Sequence, residues 1–210
     1  FDSLADRLYR VVRQTAKETG KQVRLDVVNG TIEVDRGVLE RMVSSFEHLL
    51  RNCITHGIET PDVRTAANKA PSGLITITLH QEGNEVAIDV ADDGAGLDYG
   101  RIRKRAVAMG LVAANADTPE ADLAQMIFVP GFSTATQVTE LAGRGVGMDV
   151  VRNEVNALGG RVETRSNPGQ GAAFKLVVPL TTAVTQVVML RAGNLRVAMP
   201  STLVEIVRRM

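Results

Sequence analysis

Three features of this 210-residue chain predict an α/β fold in which helices and β-hairpins interleave. Apolar residues recur at helical spacing in several separate stretches, such as Leu4, Leu8, Val11 and Val12, or Met148, Val151, Val155 and Leu158. Other stretches alternate apolar and polar residues over strand-length runs. Turn-forming sequences, among them Asn29-Gly30 and Asn167-Pro168-Gly169, join those runs. The segments follow one another as helices and hairpins, not as a regular alternation of single strands and helices.

The first helix carries Phe1, Leu4, Leu8, Val11, Val12 and Thr15 on one side and stops at Gly20. Val23, Leu25 and Val27 form a strand, Asn29-Gly30 a turn, and Ile32 and Val34 begin the return strand. Asp35 caps the next helix, whose apolar stripe is Val38, Met42, Phe46, Leu49, Leu50 and Cys53. Thr60-Pro61 ends that region, and a polar, Ala-rich linker leads to Ser72-Gly73. Leu74–Leu79 and Val86–Val90 are two strands around a Glu82-Gly83-Asn84 turn, with His80 on the surface at the end of the first. A helix with Ile102, Ala106, Val107 and Met109 inward stops at Gly110. Thr118 caps a further helix with Pro119 at its first position, ending near Phe128. Pro130-Gly131-Phe132-Ser133-Thr134 is a turn with an apolar plug and two hydroxyls, and the polar segment to Gly143 is a candidate lid. A glycine loop and its helix follow, ended by Gly159-Gly160, and then a hairpin of Arg161–Ser166 and Ala172–Val178. Pro179 marks a boundary, beyond which Val184–Leu190 and Leu195–Met199 form a hairpin that opens a second, β-rich domain. The abrupt start at Phe1 and the unfinished end read as an excised fragment.

Composition excludes some classes. Lys and Arg number 24 and Asp and Glu 24, so no overall field favours nucleic acid or an anionic membrane. Aromatic residues are few and tryptophan is absent, which weakens base stacking. No apolar run spans a bilayer, and no signal peptide opens the chain. The lone Cys53 allows no internal disulfide, which fits a reducing cytoplasm.

Four stretches carry chemistry. In Gly143-Arg144-Gly145-Val146-Gly147-Met148, glycines run into a helix start, where free N–H groups and the helix dipole suit a phosphate. An ordinary flexible loop reads the same way. It is neither a dinucleotide fingerprint, because Met148 stands where the third glycine belongs, nor a Walker loop, because no Gly-Lys-Ser/Thr follows. His48, Asn52 and His56 recur every four residues and share one helix face. That face is either a solvated edge or a ligand wall. Asparagine gains nothing mid-helix without a task, and its amide oxygen can ligate Mg²⁺. Asp92-Asp93-Gly94-Ala95-Gly96 ends a strand with a carboxylate able to accept from an adenine amine, the glycines leaving room for the ring. A plain turn or metal loop is the alternative, although EF-hand ligands are missing. Arg101 and Arg105, one turn apart, are placed to reach phosphates or simply to face solvent.

Together, His48-x-x-x-Asn52, Asp92-x-Gly94-x-Gly96, Phe128–Thr134 and Gly143-x-Gly145-x-Gly147 resemble the nucleotide-binding domain shared by histidine kinases, type II topoisomerases, Hsp90 and MutL. His48–Asn52, His56-Gly57-Ile58-Glu59, Val129–Thr134 and Gly143–Val151 look most like the chemotaxis-type, CheA-like histidine kinases. The resemblance covers residues 1–180, and 181–210 look like the truncated start of a CheW-like regulatory domain. It implies a two-layer α/β sandwich, the Bergerat ATP-binding fold, with a mixed sheet covered on one face by helices. It implies ATP and Mg²⁺ as ligands, with Asn52 holding the metal, His48 near the γ-phosphate and His56 near phosphates or metal water. Asp92 would recognise adenine, with Gly94, Gly96, Leu97, Arg101 and Arg105 around the nucleotide. Gly143, Arg144, Gly145, Val146, Gly147 and Met148 would embrace the phosphates and hinge the lid, which Ser133 and Thr134 would support. Thr55 departs from the Asp that the family often has before His-Gly, which loosens the expected position of His56.

The implied activity is phosphotransfer from ATP to a histidine of a separate phosphoacceptor domain. Response regulators, a CheW-like adaptor and a receptor array are the implied partners, and the parent protein is implied to be a cytoplasmic homodimer. Two alternatives stand beside it: an ATP-driven conformational switch of the topoisomerase or Hsp90 type, and a silent adaptor-docking scaffold. The switch proteins typically carry glutamate four residues before the asparagine. Here that position is His48, and Glu47 lies one residue, about 100°, away around the helix.

Overall fold

A computed structural model describes residues 2–30, 32, 34–132, 147–180, 187–193 and 195–200. Strands β1 (Val23–Val28), β2 (Gly73–Glu82), β3 (Glu85–Asp92), β4 (Arg161–Asn167) and β5 (Gly171–Pro179) form one sheet in the order β1-β2-β3-β5-β4. β1 runs parallel to β2, and the other neighbours are antiparallel, so the sheet is mixed as expected. Along β2, Gly73, Ile75, Ile77 and Leu79 are buried, and the residues between them are half-exposed. Period-two burial leaves one face of the sheet for the helices.

Three helices cover that face: α1 (Asp2–Thr19), α2 (Arg36–Asn52) and α6 (Met148–Ala157). Their apolar stripes meet the strands in one core, in which Leu8, Phe46, Leu49, Leu50, Val151 and Val155 join Ile75, Ile77, Ile88 and Leu176. The helices earn their places by amphipathic spacing, since burying such a stripe is the main source of helix stability in a domain. A smaller cluster lies under α4 (Tyr99–Ala108) and α5 (Glu120–Met126), where Ile102, Ala106, Leu123 and the expected plug Phe132 are buried together. β6 (Val187–Ala192) and β7 (Leu195–Pro200) pair in a two-stranded sheet of their own.

The structure corrects the sequence reading at several points. Ile32 and Val34 are not in a strand; the strand before them, β1, pairs in parallel with β2, some fifty residues on in the chain. Asn29 does turn the chain, at φ +57°, but toward α2. The supposed linker after Thr60 contains a further helix, α3 (Pro61–Ala66). Pro61 opens it at a first-turn position, where a missing N–H leaves no bond unmade. α3 also carries a fully buried arginine, Arg64. β2 runs through His80 to Glu82. α5 starts one residue later than expected, with Pro119 as its cap and no side-chain capping bond from Thr118.

The β4–β5 turn offers a test of the close packing at the sheet's end. Gly169 and Gly171 both have positive φ, +76° and +105°. A Cβ on Gly169 would meet nothing within 4 Å, whereas one on Gly171 would lie 1.8 Å from the Asp92 carbonyl oxygen. Gly169→Ala should therefore cost only the left-handed backbone term, about 1–2 kcal/mol. Gly171→Ala should cost clearly more and displace the end of β3. Urea unfolding of both variants checks this, and equal losses would remove the steric account.

Candidate functional site

α2 supplies one wall. Asp35 caps it as expected, its carboxylate accepting from the Val38 N–H at 3.1 Å. His48 and Asn52 are half-buried beside the apolar stripe. The helix does not continue regularly to His56. Residues Cys53–Gly57 form a π-turn, and the Ile58 N–H reaches back to the Cys53 carbonyl at 2.7 Å. The widened turn takes His56 off the regular four-residue stack and leaves it exposed. Lys21 closes this helix end, donating to the carbonyls of Ile54 at 2.7 Å and Thr55 at 2.8 Å. It thereby satisfies acceptors that a helix C-terminus leaves open.

The π-turn meets the Asp92 loop backbone to backbone. The Ala95 N–H donates to the Gly57 carbonyl at 2.9 Å, and a Cβ on Gly94 would lie 2.2 Å from that same oxygen. A Cβ on Gly96 would lie 2.7 Å from the Asn167 carbonyl oxygen. Both glycines were expected to clear space for a ring; their closest neighbours are the protein's own backbone. Asp92 is buried, and its Oδ1 accepts from the Gly94 N–H at 3.0 Å and the Ala172 N–H at 3.4 Å. Burial raises its pKa, although those backbone bonds oppose the rise. Cys53 is buried as expected, but its thiol also faces this carboxylate. Burial pushes the thiol pKa well up, and the Asp92 charge adds to it. Leu97 is held by its N–H, which donates to Ser166 Oγ at 2.7 Å, and its side chain packs on the cluster under α4 and α5.

The first turn of α6 closes the other side. Asn52 Nδ2 donates to Met148 Sδ at 3.1 Å, across a sequence separation of 96. The amide oxygen of Asn52 has no hydrogen bond among the described residues. Asp149, also in that first turn, interacts electrostatically with His48. Gly147 caps α6 without a side-chain bond. Desolvation lowers the pKa of His48, Arg51 and His56 lower it further, and Asp149 opposes them. Desolvation lowers His56 as well, helped by the charges of Lys21 and Arg101. Arg101 thus acts on the same wall from α4, while Arg105 is exposed and has no ion pair among the described residues. Ser133, Thr134, the candidate lid, Gly143, Arg144, Gly145 and Val146 lie outside the described residues.

The structure thus brings His48, Asn52, His56, Asp92, Gly94, Gly96, Arg101, Gly147 and Met148 to one end of the sheet. Sequence reasoning missed Gly57, Lys21, Gly171 and the basic pair Arg64 and Lys69 behind the Asp92 loop. The Pro61 helix-start signal was the available hint of α3, and nothing local marked the burial of Arg64.

Among the described residues, no group of three or more His, Cys, Asp and Glu could hold a metal ion. The donor that fits a hard cation is the unpartnered amide oxygen of Asn52, with waters and ligand phosphates completing the shell. No helix among the described residues is long and apolar enough to cross a membrane.

Comparison with known proteins agrees with this geometry. The family model described as histidine kinase-, DNA gyrase B-, and HSP90-like ATPase matches residues 37–182. The chain is 40% identical over 196 residues to the chemotaxis protein CheA of Rhizobium meliloti, covering 93% of this chain and 26% of that protein. It is 38% identical over 207 residues to CheA of Bacillus subtilis, covering 97% and 31%. It is 41% identical over 211 residues to the gliding motility regulatory protein of Myxococcus xanthus, covering 100% and 27%. The chain therefore spans only about a quarter to a third of these relatives. The catalytic domain of histidine kinase ThkA shares the fold at a TM-score of 0.51 and 20% identity, covering 87% of this chain and 93% of that one. With the family model matched over most of its length, the sheet order and the site to go with it, this chain belongs to the histidine kinase-, DNA gyrase B- and HSP90-like ATPases.

Proposed function

We propose that this chain is the ATP-binding catalytic domain of a chemotaxis-type histidine kinase, transferring the γ-phosphate of MgATP to a histidine on a separate phosphoacceptor domain. The observation that carries the reading is the contact of Asn52 with Met148 on a wall whose far end, Gly57, touches the Asp92 loop. Three motifs distant in sequence thus share one site. Similarity to CheA proteins over 90% or more of the chain supports the chemotaxis branch.

Asp92 recognises the adenine amine. Two backbone N–H groups hold its Oδ1 and the Cys53 thiol faces the same carboxylate; the second oxygen, which takes no backbone bond among the described residues, is the one offered to the ligand. Asn52 would hold Mg²⁺ through its amide oxygen, and the chemistry the metal would supply is charge neutralisation at the phosphates, as phosphoryl transfer requires. Gly147 and Met148 present the N-terminus of α6 to the phosphates, with Gly143, Arg144, Gly145 and Val146 before them and Ser133 and Thr134 supporting the lid. Arg101, with Arg105 beyond it, adds positive charge. His48 and His56, both with lowered pKa, are neutral at pH 7 and orient phosphate or water by hydrogen bonding. Leu97 lines the adenine end.

Glu47 tells against a water-activating ATPase switch. Its carboxylate accepts from Arg7 of α1 at 2.6 Å, with Arg51 at 3.9 Å, so it faces another helix. Residues 1–180 form the catalytic domain, and 181–210 begin a CheW-like domain. The separate pairing of β6 with β7 supports that division. The CheW-like adaptor, receptor array and response regulators are the partners in this reading, and the parent is a homodimer in the cytoplasm.

Asp92→Asn should weaken ADP and ATP binding. Its oxygen can keep the backbone bonds of Oδ1, which turns the amide NH₂ toward the adenine amine, donor against donor. Losing a charge-assisted hydrogen bond costs about 1.5–3 kcal/mol, roughly ten- to a hundredfold in affinity. An unchanged dissociation constant by calorimetry would sink the adenine assignment.

Asn52→Ala should abolish phosphotransfer while the nucleotide-free melting temperature holds or rises slightly. Alanine is the better helix former, and the bond given up is one to a thioether. The Mg²⁺-dependent gain in ATP affinity should vanish with it. Full activity toward an added acceptor domain would remove Asn52 as the metal ligand.

Given Mg²⁺ and γ-labelled ATP alone, the chain should accumulate no stable phosphohistidine. His48 is half-buried on the pocket wall, and His56, though exposed, sits on the π-turn at the end of that wall, so neither is placed to attack in line. His80 sits on β2, bonded to Glu82 at 2.9 Å with Asp89 at 3.6 Å. Adding the histidine-containing domain in trans should move label onto that domain. Stoichiometric acid-labile label on the chain itself would overturn this division of labour.

A further inference from the structure

Behind the Asp92 loop lies a group of charged side chains with no place in the phosphotransfer scheme. Arg64 is 1% exposed, a rare state for an arginine. It donates to four oxygens: the Ala70 carbonyl at 2.7 Å, Glu59 Oε2 at 3.0 Å, the Asp93 carbonyl at 3.2 Å and Asp93 Oδ2 at 2.8 Å. Lys69 donates to Glu59 Oε1 at 2.8 Å, the Asp93 carbonyl at 3.0 Å and the Gly94 carbonyl at 2.8 Å. The second oxygen of Asp93 accepts from the Leu74 N–H at 2.9 Å. Burial pushes the Glu59 carboxyl pKa up, but bonding to Lys69 and the two nearby cations bring it below its ordinary value.

We propose that Arg64 and Lys69 are positioning residues for adenine recognition: by holding the carbonyls of Asp93 and Gly94 they fix the loop that aims the Asp92 carboxylate. The inference rests on the reading that Asp92 takes the adenine amine, and assigns the control of its aim. A buried ion pair is poor value as a stabiliser, because desolvation offsets most of the attraction, and a well-packed apolar residue often does as well. What such a network supplies is geometry. Here the bonds end on the carbonyls of Asp93 and Gly94, and the Asp93 carbonyl shares its peptide group with the Gly94 N–H that donates to Asp92 Oδ1. A shift of that peptide moves the carboxylate with it. Across the loop, the Gly169 N–H holds the Ala95 carbonyl at 2.7 Å, so removing the cations frees one side only.

The test compares binding of ADP and inosine diphosphate to this chain by calorimetry. Inosine carries a carbonyl where adenine has its amine, so the ratio of the two affinities reads the aim of Asp92. A fold defect lowers the competent fraction for both ligands and leaves the ratio unchanged. Lys69→Met is the main variant, since Lys69 is partly exposed; Arg64→Lys, which keeps the charge but not the fork, is the second. Each should narrow the ADP preference by about tenfold, the loss of a well-aimed hydrogen bond, with binding stoichiometry maintained. Asp92→Asn is the benchmark. If it narrows the preference and folded Lys69→Met does not, the positioning role is overturned and the adenine reading stands. If Asp92→Asn itself leaves the preference unchanged, both fall. Should Arg64→Lys fail to fold, Lys69→Met decides alone.

Discussion

The site depends on one contact between main chains, the Gly57 carbonyl against Gly94 and Ala95. Gly57 ends the wall that carries His48 and Asn52, and Ala95 belongs to the loop that carries Asp92. With Gly94 bare, the carbonyl comes close enough to accept from the Ala95 N–H at 2.9 Å; any side chain there would collide with it. The distance between the Asn52 amide and the Asp92 carboxylate is therefore set through backbone, which bends less than side chains do. Gly171 repeats the device on the opposite side, packing on the Asp92 carbonyl from the β4–β5 turn.

The π-turn ends at the same contact: Gly57, whose carbonyl accepts from Ala95, is its last residue. Such a turn leaves carbonyls poorly bonded, and Lys21 covers two of them. Lys21 lies next to Gly20, at the end of α1, so the first helix of the chain helps to hold the last turn of the second. The lowered pKa of Lys21, caused by burial and opposed by Glu59, reflects that enclosed place.

Much of this was legible in the sequence because it rests on local rules. Amphipathic spacing located α1, α2, α4 and α6, the Asp35 cap fixed the start of α2, and the alternating runs around Gly83 and Asn167–Gly171 gave two hairpins. What failed depended on partners remote in sequence. Asn29-Gly30 is a hairpin signal, but the pairing of β1 is decided by burial of Leu25 against a strand that comes only after α2 and α3. Nothing local at Thr55 or His56 marks a π-turn, and the loop it meets begins after Asp92. Arg64 looked like one more polar residue of a linker; its burial follows from where Glu59 and Asp93 meet. His48, Asn52 and Asp92 stood out as candidates because each is an odd choice for its place. The residues that hold them, Gly57, Lys21 and Arg64, became readable only in three dimensions.

The electrostatics divide the site into two ends with different logic. Behind the Asp92 loop the charges are locked together, Arg64 and Lys69 bonded to Glu59 and Asp93. At the other end, cationic side chains lie near the two imidazoles. Desolvation is the main cause that lowers the pKa of both histidines; Arg51 adds to it at His48, and Lys21 and Arg101 at His56, so both imidazoles are neutral at pH 7. Guanidinium does not titrate near neutral pH, and neutral imidazole can still donate or accept a hydrogen bond. In the proposed function, these neutral imidazoles would hold a water or a phosphate oxygen in place. Such an arrangement suits phosphoryl transfer, whose barrier yields to positioning and charge neutralisation more than to a strong base.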